Sequence, residues 1–223
     1  MSDGPVDHVI PAVNIEIAAR VRHYIVENVR TARRFLRRCD PAAAIDEMAF
    51  SVLNRHTTAE EISMMLDPMA DGHDMAVISE AGCPAIADPG ADVVAIAQAR
   101  GYRVVPLVGP SSIIMSLMGS GFNGQSFAFL GYLPIDARER TERLKEMERR
   151  IKVERQTQIF IETPYRNNRL IAELVKALPG RVLLCVASDI TGPAQSIVTR
   201  PLSWWAKARY NYDKIPTIFL LYS

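Results

Sequence analysis

The sequence predicts an α/β protein of two domains, with a largely parallel sheet in the N-terminal one. Short β-branched and aromatic runs alternate with longer helical patterns, the order in which strand-helix-strand units are written. The stretch Met118-Gly119-Ser120-Gly121-Phe122-Asn123-Gly124 is the richest in glycine and interrupts that alternation, which places the domains at 1–119 and 120–223. A chain of 223 residues, 48% apolar and 23% charged, is also large enough to bury roughly 70–75% of the surface that its unfolded form exposes.

In the first half, residues 21–26 are rich in β-branched and aromatic side chains and read as a strand. Residues 31–38 carry a helical pattern, 75–79 form a continuous apolar run typical of a buried strand, and 92–100 form a second helix with Gly101 where a C-terminal cap is expected. Residues 103–107 read as a further strand. Downstream, 126–130, 158–161, 181–187 and 218–222 read as strands, with helical patterns over 138–152 and 168–178. Neither an internal repeat nor a low-complexity segment is present.

Composition narrows the function classes. Cys39, Cys83 and Cys185 are odd in number and widely spaced, against a disulfide framework or a zinc site and consistent with a reducing compartment. The opening Met1-Ser2-Asp3-Gly4 lacks the basic and apolar regions of a leader, and no apolar run approaches the roughly 18 residues that span a bilayer. A cytoplasmic protein without a membrane partner is expected. With a formal net charge of +1, attraction to nucleic acid has to come from a local patch.

Ligands of open α/β sheets bind beyond the carboxyl ends of the strands, so the loops that follow predicted strands are the candidate sites. The loop 79–90 offers Ser79, Glu80, Ala81, Gly82, Cys83 and Pro84, in which small residues admit a ligand to the backbone and Glu80 can accept hydrogen bonds. The loop 108–112 offers Gly109, Pro110, Ser111 and Ser112, a fixed turn with hydroxyls that can cap the next helix or reach a ligand. In the run 161–167, Pro164 suits a first helical position with Thr163 as cap, leaving Glu162 to orient or deprotonate a hydroxyl and Arg166 to hold a phosphate. A fourth loop, 187–195, is polar and turn-rich. Each loop taken alone reads equally as a turn, a cap or a local salt bridge. There is no dinucleotide or phosphate-loop fingerprint and no Gly-x-Ser-x-Gly elbow, and His8, His23, His56 and His73 lack metal spacing, so no metal is expected. Arg30, Arg33, Arg34, Arg37 and Arg38 recur at three- and four-residue spacings along one helical face, a stripe able to track phosphates or to serve as a solvated surface.

Taken in order, these loops resemble the tetrapyrrole methylase superfamily, and within it the ribosomal RNA small-subunit methyltransferase I branch. The run Ser-Glu-Ala-Gly-Cys-Pro-Ala-Ile-Ala-Asp-Pro-Gly from Ser79 to Gly90 and Val-Pro-Leu-Val-Gly-Pro-Ser-Ser from Val105 to Ser112 match its Ser-Asp-Ala-Gly-Thr-Pro, Ser-Asp-Pro-Gly and Pro-Gly-Pro-Ser runs. Glu27-Asn28-Val29-Arg30 is similar to Glu-Asp-Thr-Arg, Phe129-Leu130-Gly131-Tyr132-Leu133-Pro134 to a Gly-Phe-Leu-Pro run, and Glu162-Thr163-Pro164-Tyr165-Arg166 to Glu-Ser-Pro-His-Arg. The resemblance implies a mixed sheet in the C-terminal domain and S-adenosylmethionine bound in a cleft between the domains. It further implies a homodimer that methylates a ribose 2′-hydroxyl of small-subunit ribosomal RNA, free or in the ribosomal subunit, without a metal. By position, 79–84 and 109–112 would hold the cofactor, and Glu162, Arg166 and Arg30 would be the catalytic set. Two alternatives remain: a tetrapyrrole C-methyltransferase of the sirohaem or cobalamin branch, and a non-catalytic relative that binds RNA or a partner.

The chain departs from the family pattern in three places. Glu80 stands for the usual Asp, one methylene longer, and Asn28-Val29 stands for Asp-Thr. Family members open with a strand and a Pro- and Gly-containing loop, whereas Met1-Ser2-Asp3-Gly4-Pro5 leads directly into a helical pattern. That first strand is expected to be missing, with a central sheet position unfilled.

Overall fold

The first unit is assembled on β1 (His23–Val26), whose side chains alternate between two buried layers; the computed structural model describes residues 4–223. Tyr24 and Val26 point into one layer with Ala32, Leu36, Ile45 and Met48. Ile25 points into the other with Leu53, Ile62, Leu66, Val93 and Ala97. This period of two follows from the pleat, and it needs helices on both faces. Helices α1 (Ala12–Arg20) and α2 (Val29–Cys39) supply the first layer. The second comes from α3 (Ala59–Met65), with the short α4 (Asp67–Ala70) after it, and α5 (Ala91–Ala99). β1 pairs in parallel with β2 (Ala49–Val52) on one side and β3 (Met75–Ile78) on the other.

The second unit starts at Ser112 with α6 (Ser112–Ser120). Its five strands are β4 (Phe127–Tyr132), β5 (Thr157–Ile161), β6 (Leu183–Ser188), β7 (Ser196–Pro201) and β8 (Thr217–Tyr222), in the order β4-β5-β8-β6-β7. β4 and β5 are parallel and the other pairs antiparallel, so the sheet is mixed as the resemblance implies. α7 (Ala137–Glu154) and α8 (Asn167–Ala177) cover one face through Leu144, Met147, Leu170 and Leu174, joined by Trp205 of α9 (Leu202–Trp205). α6 covers the other face, with Ile113 and Leu117 against Ile159, Ile218 and Leu220. A Cβ on Gly119 would stand 2.6 Å from the Cδ1 of Ile197, so glycine there allows α6 to lie close to β7. This packing explains why the units divide between Ser111 and Ser112 rather than after residue 119: the glycine-rich stretch follows a helix that already belongs to the second sheet.

Most predicted elements are present with shifted ends, and two predictions need correction. The helix expected over 31–38 begins at Val29, because the Asn28 side chain accepts from the backbone N–H groups of Arg30 and Thr31. Residues 103–107, read as a strand, join no sheet. Among the described residues, β3 is paired only on the side of β1, so the segment has no ladder to join. Val105 and Leu107 remain 55% and 43% exposed. Strands β2 and β7 were not predicted, as Ala49–Val52 is short and Ser196–Pro201 is half polar.

A partly buried ion-pair cluster ties α7 to α8. Arg140 donates from its Nε to the Pro134 carbonyl at 2.7 Å and from Nη1 to the Glu173 carboxylate, while Arg169 Nε donates to Glu173 Oε1 at 2.8 Å. Burial pushes the Glu173 carboxyl up, and the hydrogen bonds from Arg169 and Arg140 outweigh it, so its pKa falls below the ordinary 4.5. A carboxylate lowered in this way adds stability above its unfolded pKa, and the gain disappears as the pH falls through the folded value. Glu173→Gln should therefore lower unfolding stability by about 1–3 kcal/mol at pH 7, a gap that urea titration should find closing as the pH is lowered and the carboxyl is protonated. Hydrogen-exchange mass spectrometry supplies a second check. Amides of residues 103–108 should exchange within seconds while those of β1 stay protected, and protection of both would mean that 103–108 is in a sheet.

Candidate functional site

Parallel register sets Val26 beside Ile78, so the residues that follow β1 and β3 leave the sheet side by side. Glu27 Oε1 accepts the backbone N–H of Glu80 at 3.0 Å, and Thr31 Oγ1, one turn into α2, donates to the Glu80 carboxylate. Ser79 is buried, and its hydroxyl donates to the Gly82 carbonyl at 3.2 Å, curling the loop on itself. Gly82 takes a φ of +80° with nothing within 4 Å of where a Cβ would stand, so the turn requires glycine and leaves its surface open. Ala85 and Ala87 also hold positive φ, 66° and 62°, a concentration of strained backbone of the kind found at ligand clamps.

The second predicted loop meets the first. Cys83 Sγ lies 3.7 Å from the Gly109 carbonyl oxygen and 3.5 Å from that of Pro110, distances at which a thiol donates weakly. The first unit thus gathers Ser79, Glu80, Ala81, Gly82, Cys83 and Pro84 with Gly109, Pro110 and Ser111, and Arg30 follows the capping Asn28 of the same cluster. Ser112 opens α6 in the second unit. Sequence reasoning left Glu27, Thr31 and Asp88 out of the site. The Asp88 carboxyl is pushed up from its ordinary value by burial first, then by the charges of Glu27 and Glu80. Asp88 therefore lies near enough to Glu27 and Glu80 to feel their charge, and negative charge collects beyond the strand ends.

In the second unit, Glu162 stands at the end of β5 with its side chain 4% exposed. Its Oε1 accepts from the Thr163 N–H at 2.6 Å and from Arg166 Nη2 and Nε at 2.6 and 3.1 Å. Pro164 opens a single helical turn as predicted, yet Thr163 makes no side-chain cap: its hydroxyl accepts from Arg166 Nε at 3.1 Å. The charged fork of Arg166 is therefore clamped by two neighbours. Beside it lies a cavity of about 70 Å³ lined by Ile135, Arg140, Glu162, Arg166, Arg169 and Leu170. The fourth loop closes on itself, with Asp189 accepting from Ala194 N–H and Gln195 from Thr191 N–H, both at 2.8 Å.

No family model matches the chain. Over 189 residues it is 31% identical to the ribosomal RNA small subunit methyltransferase I of Vibrio cholerae, covering 85% of this chain and 62% of that protein. The proteins of the same name from Pseudomonas aeruginosa and Leptospira borgpetersenii are 32% and 34% identical, over 70% and 73% of this chain and 54% and 64% of theirs. Among solved structures, the methyltransferase CobJ superposes with a TM-score of 0.64 over 99% of this chain and 90% of its own, at 17% identity. The chain is similar in sequence to the ribosomal RNA small subunit methyltransferase I proteins and shares the α/β fold of CobJ. It spans about half to three fifths of the length of the relatives it matches first.

The carboxylate cluster makes a signed prediction. A carboxyl whose folded pKa is raised withdraws stability as the pH rises through that value. Asp88→Asn should therefore raise the Tm at pH 8, by an amount that shrinks as the pH is lowered and the native carboxyl takes up its proton. A lower Tm at pH 8 would mean that the ionised form makes contacts the protein needs.

Proposed function

We propose that the chain is an S-adenosylmethionine-dependent methyltransferase acting on a ribose 2′-hydroxyl of small-subunit ribosomal RNA. The observation that carries this reading is the meeting of three runs, 27–31, 79–84 and 109–110, at the strand ends of the first unit. These same runs, in the same order, resemble those of the small-subunit methyltransferase I branch. A cytoplasmic homodimer belongs to the same reading and has the family resemblance as its support.

The residues suit the cofactor chemically. S-adenosylmethionine supplies a methyl group activated on a positively charged sulfur, and the potential set up by Glu27, Glu80 and Asp88 favours a cation and accepts from hydroxyl or ammonium groups. The open face at Gly82 admits a ligand to the backbone. Transfer is an in-line displacement, so alignment is the protein's main contribution, worth as much as about 7–11 kcal/mol in favourable systems. Arg166, fixed by Glu162 and Thr163, is built to hold an anionic oxygen in one orientation, and Arg30 is a second candidate for that task. Glu162 serves to orient Arg166 or to take the proton of the ribose hydroxyl.

A second reading, a relative that binds without catalysis, is favoured by the open edge of β3 and the unpaired 103–107 next to Gly109. Calorimetric titration with S-adenosylmethionine and S-adenosylhomocysteine separates the two: micromolar binding is expected, and no binding would favour the second. Single-turnover methylation of small ribosomal subunits by Glu162→Gln should then fall by about 100-fold or more. An unchanged rate would remove Glu162 from proton transfer.

A further inference from the structure

Helix α2 distributes its arginines unequally. Ala32 and Leu36 are buried with Val29 and Phe35 packed beside them, whereas Arg30, Arg34 and Arg37 are exposed. At 3.6 residues per turn those three arginines fall within about 60° of one another, opposite the buried face. The other two turn aside. Arg33 pairs with Asp46 at 3.1 Å and stands 5.6 Å over the Phe50 ring, and Arg38 donates to the Gly4 carbonyl.

What sets the exposed three apart is the lack of compensation. The helix contains no acidic residue, and among the described residues no carboxylate lies within ion-pair distance of Arg30, Arg34 or Arg37. Helix α7, also rich in charge, pairs most of its basic residues: Arg149 and Arg150 each meet Glu146 at 2.8 Å, Lys152 meets Glu148 at 2.6 Å, and Arg138 meets Glu142 at 3.5 Å. Hydrogen bonds from Arg149 and Arg150 hold the Glu146 carboxyl down at about 2. In a chain of net charge +1, a bare line of three guanidinium groups is a local feature of α2 rather than a general basic surface.

The line also has a starting point. Arg30 immediately precedes Thr31, which makes the contact with Glu80 in the candidate site, and a rise of 1.5 Å per residue puts Arg34 about 6 Å and Arg37 about 10.5 Å farther along the axis. We infer that the exposed face of α2 is a phosphate rail that receives the RNA strand flanking the reacting nucleotide. The inference rests on the RNA substrate proposed above. A row of exposed guanidinium forks leading away from a site matches a linear polyanion, and each fork can hold a phosphate bidentately.

The test uses the full 223-residue chain, bacterial small-subunit ribosomal RNA and a fluorescein-labelled 20-nucleotide polyuridylate, with affinity followed by anisotropy from 50 to 300 mM salt. Arg34→Gln/Arg37→Gln should weaken binding about tenfold at the low end and reduce the slope of log K against log salt by about 1.4, two contacts' worth on a single strand. Arg149→Gln/Lys152→Gln removes the same charge from the compensated helix and should leave both quantities within about twofold of the parent. Calorimetry with S-adenosylmethionine should give the parental affinity for both variants, reporting that the first unit is folded. Equal losses in the two double variants, or none in the first, would overturn the rail while leaving the RNA reading standing. A parent chain that binds neither RNA at 50 mM salt would overturn the RNA reading and the rail with it.

Discussion

Parallel pairing of β1 with β3 is the constraint on which the candidate site depends. Pairing Val26 with Ile78 brings Glu27 next to Glu80 and starts α2 and the 79–90 loop from neighbouring points on one sheet edge. A shift of one residue would send Tyr24 and Val26 into the layer now filled by Ile25, a change that two packed helical layers forbid. The apolar alternation of four residues therefore fixes, at a distance, which carboxylates meet.

The two units handle charge in opposite ways. In the first, Glu27 and Glu80 meet at the strand ends, and their charges add to burial in raising the pKa of Asp88. In the second, the buried or half-buried carboxylates Glu162 and Glu173 each sit against arginines, and Glu173 is held ionised. Gathered negative charge favours a cationic or hydroxyl-rich ligand, while clamped arginines present anion-binding forks with little freedom left to lose. That division suits the sulfonium-bearing methyl donor and phosphate-bearing acceptor proposed above.

The unpaired segment 103–107 shows how far residue type can mislead. Its sequence, Arg103-Val104-Val105-Pro106-Leu107, has the composition of a strand, but strand formation is a property of two segments and a ladder. The same limit explains the missed β2 and β7, which are ordinary in composition and become strands through their neighbours. The end of α5 was readable because a single local residue decides it: Gly101 follows the helix with φ +74°.

By itself the sequence determined the α/β class, most helices and strands, and the loops 79–84, 109–112 and 162–166, because periodicity, caps and turn residues act over a few positions. It also carried the family resemblance, whose motifs are contiguous runs. Tertiary structure alone decided that Glu27, Thr31 and Asp88 join Glu80, that Cys83 meets Gly109, that Glu162 is clamped to Arg166, and that α6 packs with the second sheet. Each of those outcomes depends on strand register or on helix packing across a sheet, which couple residues tens of positions apart and leave no local pattern.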